Sequence, residues 1–147
     1  MRNMDFFMNC EVESKFEEVE IEGIAKFKFP EGTESAGKPI PWALKPITTD
    51  RLDQLRTQNT RTIKHKTRGT EKIVDGNRLT YELMVDTIIY PNFKDTNWLQ
   101  ATKCIDPVDL LKKVLDKPGD FSRISKECTI VNGLSETEEE LAEEAKN

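Results

Sequence analysis

Residues 104–133 constrain the fold most, because they predict two short helices whose ends are marked by residue type. Asp106 suits the N-cap position, where its carboxylate accepts a backbone N–H, and Pro107 suits the first helical position, where its missing N–H is no loss. Pro118 and the glycine after it predict the end of the first helix, and Asp120 predicts the cap of the second. Such a pair of helices buries one face of each member and needs further elements to cover it.

The first third of the chain predicts two strands. Residues 19–29 alternate between apolar and charged side chains, which is typical of a half-buried strand, although Ile24 falls out of phase. Residues 40–47 predict a second strand. Pro41 and Pro46 predict that this strand lies at the edge of a sheet, because proline cannot donate a hydrogen bond to a neighbouring strand.

The middle of the chain predicts a short helix, an exposed arm and a longer helix. A threonine or aspartate at positions 48–50 can cap the short helix. Residues 57–70 are polar, basic and β-branched with little to bury, which indicates an exposed strand or hairpin arm. Residues 79–90 fit both the helical and the alternating pattern. Their length and a capping Asp75 or Asn77 favour a helix that the following proline ends.

These elements predict an α+β fold in which a small antiparallel sheet from the N-terminal third packs on three or four C-terminal helices. At 147 residues the chain is expected to form one domain over residues 1–134, with residues 1–18 as a loosely ordered arm. Residues 135–147 hold six acids, one base and few apolar side chains, which predicts an acidic, disordered tail. The predicted core comprises Phe27, Phe29, Trp42, Leu44, Leu83, Ile88, Phe93, Trp98, Leu99, Leu111, Leu115, Phe121, Ile124 and Val131.

Charge is divided along the chain in a way that the net charge of −5 hides. Residues 1–22 hold seven acids and two bases, whereas residues 51–78 hold eight bases and three acids. The chain is therefore acidic at both ends and basic in the middle, and an acidic partner could bind the basic segment. The candidate partner-binding residues are Arg56, Arg61, Lys64, Lys66, Arg68 and Lys72.

This basic segment could also follow the phosphates of a nucleic acid. Against that interpretation, aromatic residues for base stacking are absent from it and the chain is acidic overall. A nucleic-acid-binding regulator is therefore the alternative function. A solvated hairpin, or contact with an acidic protein surface, is the favoured interpretation.

Residues 32–38 match the phosphate-loop pattern up to its last position. That pattern needs a Ser or Thr hydroxyl next, and a helix whose N-terminus faces the phosphates. Pro39 stands in place of the hydroxyl, and Pro39 and Pro41 both disfavour α geometry in the residues before them. An ordinary loop is expected here, and no cofactor.

The sequence predicts neither a catalytic nor a metal site. His65 is the single histidine, and the three cysteines are too far apart in sequence to form a paired zinc motif. Cys104 and Cys128 lie on or beside apolar helix faces, where cysteine is usually a small core residue. An odd cysteine count without a secretory signal indicates a reducing cytoplasm, and no apolar run is long enough to span a membrane.

Several segments within residues 27–133 contain the prolines and capping residues that mark where helices and strands begin or end. They read IPWALKPI at residues 40–47, YPNF at 90–93, DP at 106–107 and PGDF at 118–121, with a lysine- and threonine-rich arm between the first two. In this pattern the chain resembles the XkdN-like tail assembly chaperones of phages and phage-derived elements of Gram-positive bacteria.

The resemblance implies a small non-enzymatic protein of the bacterial host cytoplasm that assists phage tail assembly. Such chaperones are thought to coat the tape-measure protein and to help recruit tail-tube subunits, so these two proteins are the implied partners. Reversible binding of helical segments requires exposed apolar or charged surface and no catalytic residue. The sequence leaves open the client segment and whether the chain forms a homo-oligomer.

Overall fold

A computed structural model describes residues 1–134 and has a mixed α+β architecture, which confirms the predicted fold class. Its elements are α1 (Asp5–Met8), β1 (Val19–Ile21), β2 (Trp42–Leu44), α2 (Thr49–Gln58), β3 (Thr60–His65), β4 (Gly69–Val74), α3 (Gly76–Thr87), β5 (Ile88–Tyr90), α4 (Thr96–Ala101), α5 (Pro107–Val114) and α6 (Pro118–Val131). Strands β1, β2 and β5 form an antiparallel sheet, and β3 pairs with β4 in a separate antiparallel hairpin. The predicted acidic tail, residues 135–147, lies outside the described residues.

One apolar cluster joins the three-stranded sheet to helices α3 to α6. Trp42 of β2 packs in it with Met84 of α3, Leu111 of α5 and Ile124 of α6, each at most 1% exposed. Trp98 of α4 packs against the cluster and remains partly exposed. Burying one such aliphatic side chain contributes about 1.5–3 kcal/mol, so this cluster is the main source of stability.

The predicted core agrees with this cluster except at two positions, Phe29 and Leu83. Eight predicted residues are buried, namely Trp42, Leu44, Leu83, Ile88, Phe93, Leu111, Leu115 and Ile124. Five more pack against the cluster while partly exposed, namely Phe27, Trp98, Leu99, Phe121 and Val131. Phe29 is also partly exposed but lies outside both clusters of buried residues. Leu83 belongs to a second, smaller cluster with Leu55, Val74 and Leu79.

The strand predicted over residues 19–29 is wrong beyond Ile21, where β1 ends. Ile24, which seemed out of phase, is 1% exposed and belongs to the core. Arg123 of α6 explains the change, because its guanidinium donates to the carbonyl oxygen of Gly23 at 2.7 Å and to that of the preceding residue at 2.9 Å. These carbonyls bond to a helix side chain instead of a neighbouring strand, and the chain leaves the sheet.

The prediction that the second strand lies at an edge is also wrong. β2 is the central strand, paired with β1 on one side and β5 on the other. The strand is shorter than the predicted residues 40–47, and Pro41 and Pro46 lie outside it. Neither proline therefore removes a hydrogen bond from the sheet, and the edge argument does not apply.

Residues 79–90 contain both of the structures that their pattern fits. α3 begins after Asp75, whose carboxylate accepts the backbone N–H of Arg78 at 3.0 Å. The helix ends at Thr87, and the next three residues form β5 against β2. The prediction of one helix to residue 90 is therefore wrong for its last turn, because pairing with β2 outweighs local helix propensity there.

The predicted helical pair exists, with one boundary corrected. Asp106 caps α5 by accepting the backbone N–H of Asp109 at 2.8 Å, and this hydrogen bond holds the pKa of Asp106 below its ordinary value. Pro118 begins α6 instead of ending α5, with Lys117 as the N-cap residue. Asp120 therefore lies in the first turn, where a negative charge favours the positive end of the helix dipole.

Asp86 connects α3 to α2 and to the segment between β5 and α4. Its side chain is 8% exposed and forms ion pairs with Arg51 of α2 and with Lys94 Nζ, the latter at 2.7 Å. Burial acts to raise the pKa of Asp86, but the hydrogen bonds from Arg51 and Lys94 outweigh it and hold this pKa below its ordinary value. The charged form of Asp86 therefore stabilises the fold.

Asp86→Asn should lower the free energy of unfolding by about 1–2 kcal/mol at pH 7, since both cations keep contact with water that screens each pair. Because the pKa of Asp86 is lowered by folding, this stabilisation is present above its unfolded value of about 4 and is lost as pH falls toward the folded pKa. Urea unfolding of both proteins at pH 7 and pH 3 measures the difference. Asp53→Asn, which removes an exposed carboxylate 3.8 Å from Arg56, is the control and should change stability by less than about 0.5 kcal/mol. An equal loss of stability for Asp86→Asn at both pH values would contradict the conclusion that the charged form of Asp86 stabilises the fold.

Candidate functional site

The β3–β4 hairpin carries most of the predicted partner-binding residues, and its base is fixed to the two helices beside it. Asn59 follows α2, and its side-chain amide donates to the Leu55 carbonyl at 2.8 Å and to Glu82 of α3 at 2.6 Å. Its own carbonyl accepts the backbone N–H of Asp75, at the start of α3, at 2.8 Å. The hairpin therefore leaves the fold from an anchored base.

Beyond that base the hairpin buries very little. Its strands pair in regular register from Thr60 opposite Val74 to His65 opposite Gly69. Val74 is the one buried residue among these two strands, which the structure describes in full. The predicted exposed hairpin arm is confirmed, and nearly all of its surface is open to contact.

The six predicted residues lie at different places on this arm. Arg56 belongs to α2 and pairs with Asp53 at 3.8 Å, so it lies apart from the strands. Lys66 and Arg68 lie in the turn between the strands, and both are exposed. The remaining three, Arg61, Lys64 and Lys72, are exposed on the strands themselves.

The register assigns the strand residues to two faces. Because side chains alternate along a strand, Lys64 and Lys72 share one face, and Arg61 lies on the other. Four threonines, at positions 60, 62 and 70 and in the turn at 67, surround the lysines on or near their face. Apart from buried Val74 at its base, the lysine face is thus polar and basic, which suits an acidic segment lying along it.

The Arg61 face has a different character. Ile63 and Ile73 lie on it half-buried, and Ile73 is directly opposite Arg61. Near the turn, His65 Nε2 lies 2.8 Å from a Glu71 carboxylate oxygen. This face therefore combines apolar and charged groups. A depression at the base of the hairpin is lined by residues 58–61 and 73–75, which include residues of both faces.

Two apolar features become evident only in the structure, one on the hairpin and one in α1. Ile73 carried no signal of its own, since only the strand register places it beside Ile63 on an open face. The aromatic pair Phe6 and Phe7 in α1 is 68% and 72% exposed, although large apolar side chains ordinarily predict burial. Ile73 adds apolar contact area to the hairpin, which the sequence identifies only by charge, and Phe6 and Phe7 form a separate apolar surface.

The residues considered for catalysis do not assemble. His65 contacts Glu71 and Arg68 on the hairpin, whereas Cys128 lies in the core, where burial raises the pKa of its thiol to about 12. Within residues 1–134, no group of three or more His, Cys, Asp or Glu side chains is placed to hold a metal ion. None of the described helices is long and apolar enough to cross a membrane.

The phosphate-loop pattern forms the expected loop. The backbone N–H of Phe29 donates to the Lys38 carbonyl at 2.9 Å, and that of Gly37 donates to the Phe29 carbonyl at 3.1 Å. The loop therefore closes on its own strand-like base, and the chain continues into β2 instead of a helix. The helix N-terminus that would face phosphates is replaced by a strand.

Comparison with known proteins gives consistent matches. The family described as phage XkdN-like tail assembly chaperone protein matches residues 4–146. The phage-like element PBSX protein XkdN of Bacillus subtilis (strain 168) is 38% identical over 111 residues, which cover 76% of this chain and 75% of that protein. YqbN of the same organism is 34% identical over 145 residues, covering 99% of this chain and 93% of that protein.

A solved structure agrees with these sequence matches. The crystal structure of the protein YqbN superposes with a TM-score of 0.69 at 30% identity, covering 91% of this chain and 98% of that chain. Sequence and fold thus match over nearly the same length. The chain belongs to the family of phage XkdN-like tail assembly chaperones.

Proposed function

We propose that this protein is a non-enzymatic phage tail assembly chaperone that binds the tape-measure protein in the host cytoplasm and helps tail-tube subunits to assemble around it. Residues 1–134 would act as one domain. The β3–β4 hairpin would be the client-binding surface, with Arg61, Lys64, Lys66, Arg68 and Lys72 as its charged contacts. No cofactor, metal or membrane takes part.

One observation carries this proposal, namely that the hairpin holds five exposed bases while its base is anchored by Asn59. An anchored arm presents its charges in a fixed arrangement, which lowers the entropy lost when a client binds. The half-buried Ile63 and Ile73 add apolar contact on the second face. Together these groups suit acidic, amphipathic helical segments of a long client.

Reversing the charge of the hairpin tests whether the hairpin binds the client. Lys64→Glu, Lys66→Glu and Lys72→Glu combined should weaken binding of acidic tape-measure fragments about 10–100-fold at 50 mM salt, because like charges would then oppose each other across the interface. Isothermal titration calorimetry with overlapping fragments measures this, and the affinity of the natural chain should fall as salt rises.

A matched control separates the effect of charge on the hairpin from the effect of the net charge of the protein. Lys28→Glu, Lys117→Glu and Lys126→Glu combined change the net charge by the same amount at exposed positions outside the hairpin. This control should keep most of the affinity. Equal losses in the two triple variants would mean that overall charge, and not the hairpin, governs binding. Unchanged affinity in both would remove the hairpin from the proposal.

A second candidate, a nucleic-acid-binding regulator, is favoured by the shape of the same hairpin. A two-stranded β-ribbon can enter the major groove of DNA, and this ribbon is basic and exposed. The same variants decide between the two functions. A regulator would bind duplex DNA with an affinity that falls steeply between 50 and 200 mM salt, and the hairpin triple variant would abolish that binding.

A further inference from the structure

The short helix α1 presents an apolar surface that nothing in residues 1–134 covers. Phe6, Phe7 and Met8 are 68%, 72% and 74% exposed, and Met4 just before them is 67% exposed. No residue of α1 is buried against the described chain. Four adjacent large apolar side chains that are exposed to water indicate a contact surface.

Local bonds alone form this helix. The backbone N–H of Met8 donates to the Met4 carbonyl at 3.0 Å, and that of Asp5 donates to the side chain of Asn3 at 2.9 Å. Isolated helices much longer than four residues are only marginally stable in water, because nucleation costs more than a few bonds return. A partner surface would supply the stabilisation that this helix lacks.

Charge narrows the class of that partner. The seven acids among residues 1–22 include four between positions 11 and 18, directly after α1. Such an arm is repelled by nucleic acids and by anionic membranes, and is attracted to a surface that is both basic and apolar. The partner should therefore offer cations around an apolar depression.

The β3–β4 hairpin of this same protein offers that combination. Its Arg61 face carries half-buried Ile63 and Ile73. Arg61 and Ile73 also line the depression at the base of the hairpin, together with residues of the other face. Residues 56–72 hold six bases and one acid. Arg61 on this face and the turn residues Lys66 and Arg68 attract the acids of the arm, whereas Glu71 on the same face opposes them. The half-buried isoleucines match the apolar side chains of α1.

We propose that α1 of one copy docks on the Arg61 face of the hairpin of a second copy, with Phe6 or Phe7 in the depression beside Ile73. A second copy is required because every residue from 1 to 20 is exposed in the described chain, so the arm is not seated on its own hairpin. Each copy carries both halves of the contact, and two copies can exchange arms reciprocally in a closed dimer.

The docked arm covers the Arg61 face, one of the two hairpin faces assigned to the proposed client, and leaves Lys64 and Lys72 open. Client segments that need the Arg61 face should therefore compete with self-association, whereas segments bound only to the lysine face should not. The association itself does not depend on the identity of the client. It can be measured on the protein alone, so its failure and the failure of the proposed function are separate results.

Sedimentation velocity of the full chain over a concentration series tests the contact. We expect a monomer–dimer equilibrium that weakens between 50 and 500 mM salt. Phe6→Ala and Phe7→Ala combined should raise the dimer Kd at least about tenfold, because two anchor side chains are removed. Ile105→Ala, which truncates a side chain 93% exposed elsewhere on the surface, is the control and should leave the Kd unchanged. A monomer at every concentration, or an equal effect of control and double variant, would overturn the proposal.

Cross-linking from Cys10 locates the contact. Cys10 lies two residues after α1 and is exposed, whereas Cys128 is buried; a Cys104→Ser background removes the half-exposed third thiol. Benzophenone maleimide on Cys10 is photolysed in an equal mixture of ¹⁴N- and ¹⁵N-labelled protein, and the cross-linked peptides are identified by mass spectrometry. Mixed-isotope products from residues 58–74 are expected. Products confined to one isotope, or mapped to another surface, would overturn docking in a second copy.

Discussion

Phe93→Ala should lower the free energy of unfolding by about 3–5 kcal/mol, the range for removing a fully buried phenylalanine. Phe93 is 0% exposed and lies between two tryptophans. Its ring centroid is 5.9 Å from that of Trp42, edge to face, and 5.4 Å from that of Trp98. The substitution would leave a cavity where the sheet meets α4, because neither indole can move into the space without losing its own contacts.

Phe6→Ala provides the matched control for this prediction. The side chain removed is identical, but Phe6 is 68% exposed in α1 and should contribute less than about 0.5 kcal/mol to the stability of the monomer. Urea unfolding followed by tryptophan fluorescence measures both, at a concentration below that of any self-association. A loss under about 1 kcal/mol for Phe93→Ala would mean that the tryptophans repack around the gap.

The elements that the sequence predicts well are those whose signals are local. Asp75 and Asp106 cap α3 and α5 as expected, and the threonine at position 48 caps α2. Each cap depends on one side chain and a backbone N–H two or three residues away, so no distant contact is needed to predict it. The exposed hairpin was also predictable, because a segment with almost nothing to bury cannot belong to the core.

The failures arise where a distant partner decides the structure. β5 exists because β2 pairs with it, and the alternation of residues 79–90 could not show that a strand would take only the last three residues. Ile24 enters the core because Arg123, a hundred residues away, holds the backbone beside it. Such contacts are absent from any local pattern, and tertiary packing overrides propensity at those positions.

The candidate site was predictable in charge but not in shape. The six bases identify the segment, and alternation along β3 separates Lys64 from Arg61, but only the register between β3 and β4 places Lys72 on the face of Lys64. A shift of one residue would exchange the two faces, and nothing in the composition fixes that register. The sequence predicts that Phe6 belongs to a loosely ordered arm, but it does not show that this side chain lies in a short helix and is 68% exposed.

Gly23→Ala should destabilise the fold by about 1–3 kcal/mol or more, although it adds a single methyl group. A Cβ at position 23 would lie 1.9 Å from the carbonyl oxygen of Ile40 and 3.2 Å from Trp42 Cδ1. The Ile40 oxygen is backbone and cannot rotate away, so one of the two chain segments must shift. Any shift also strains the hydrogen bond that Arg123 donates to the Gly23 carbonyl at 2.7 Å.

Gly119→Ala is the opposite case and should stabilise the protein by about 0.4–1 kcal/mol. Gly119 lies in the first turn of α6 with no atom within 4 Å of an added Cβ, and alanine loses less conformational entropy than glycine on entering a helix. Urea unfolding of the two variants should therefore give changes of opposite sign for the same chemical substitution. A neutral result at position 23 would mean that the segment from Gly23 to Ile24 can move away from Ile40 without cost. The anchoring role of Arg123 would then be wrong, since a segment that moves freely is not held by that side chain.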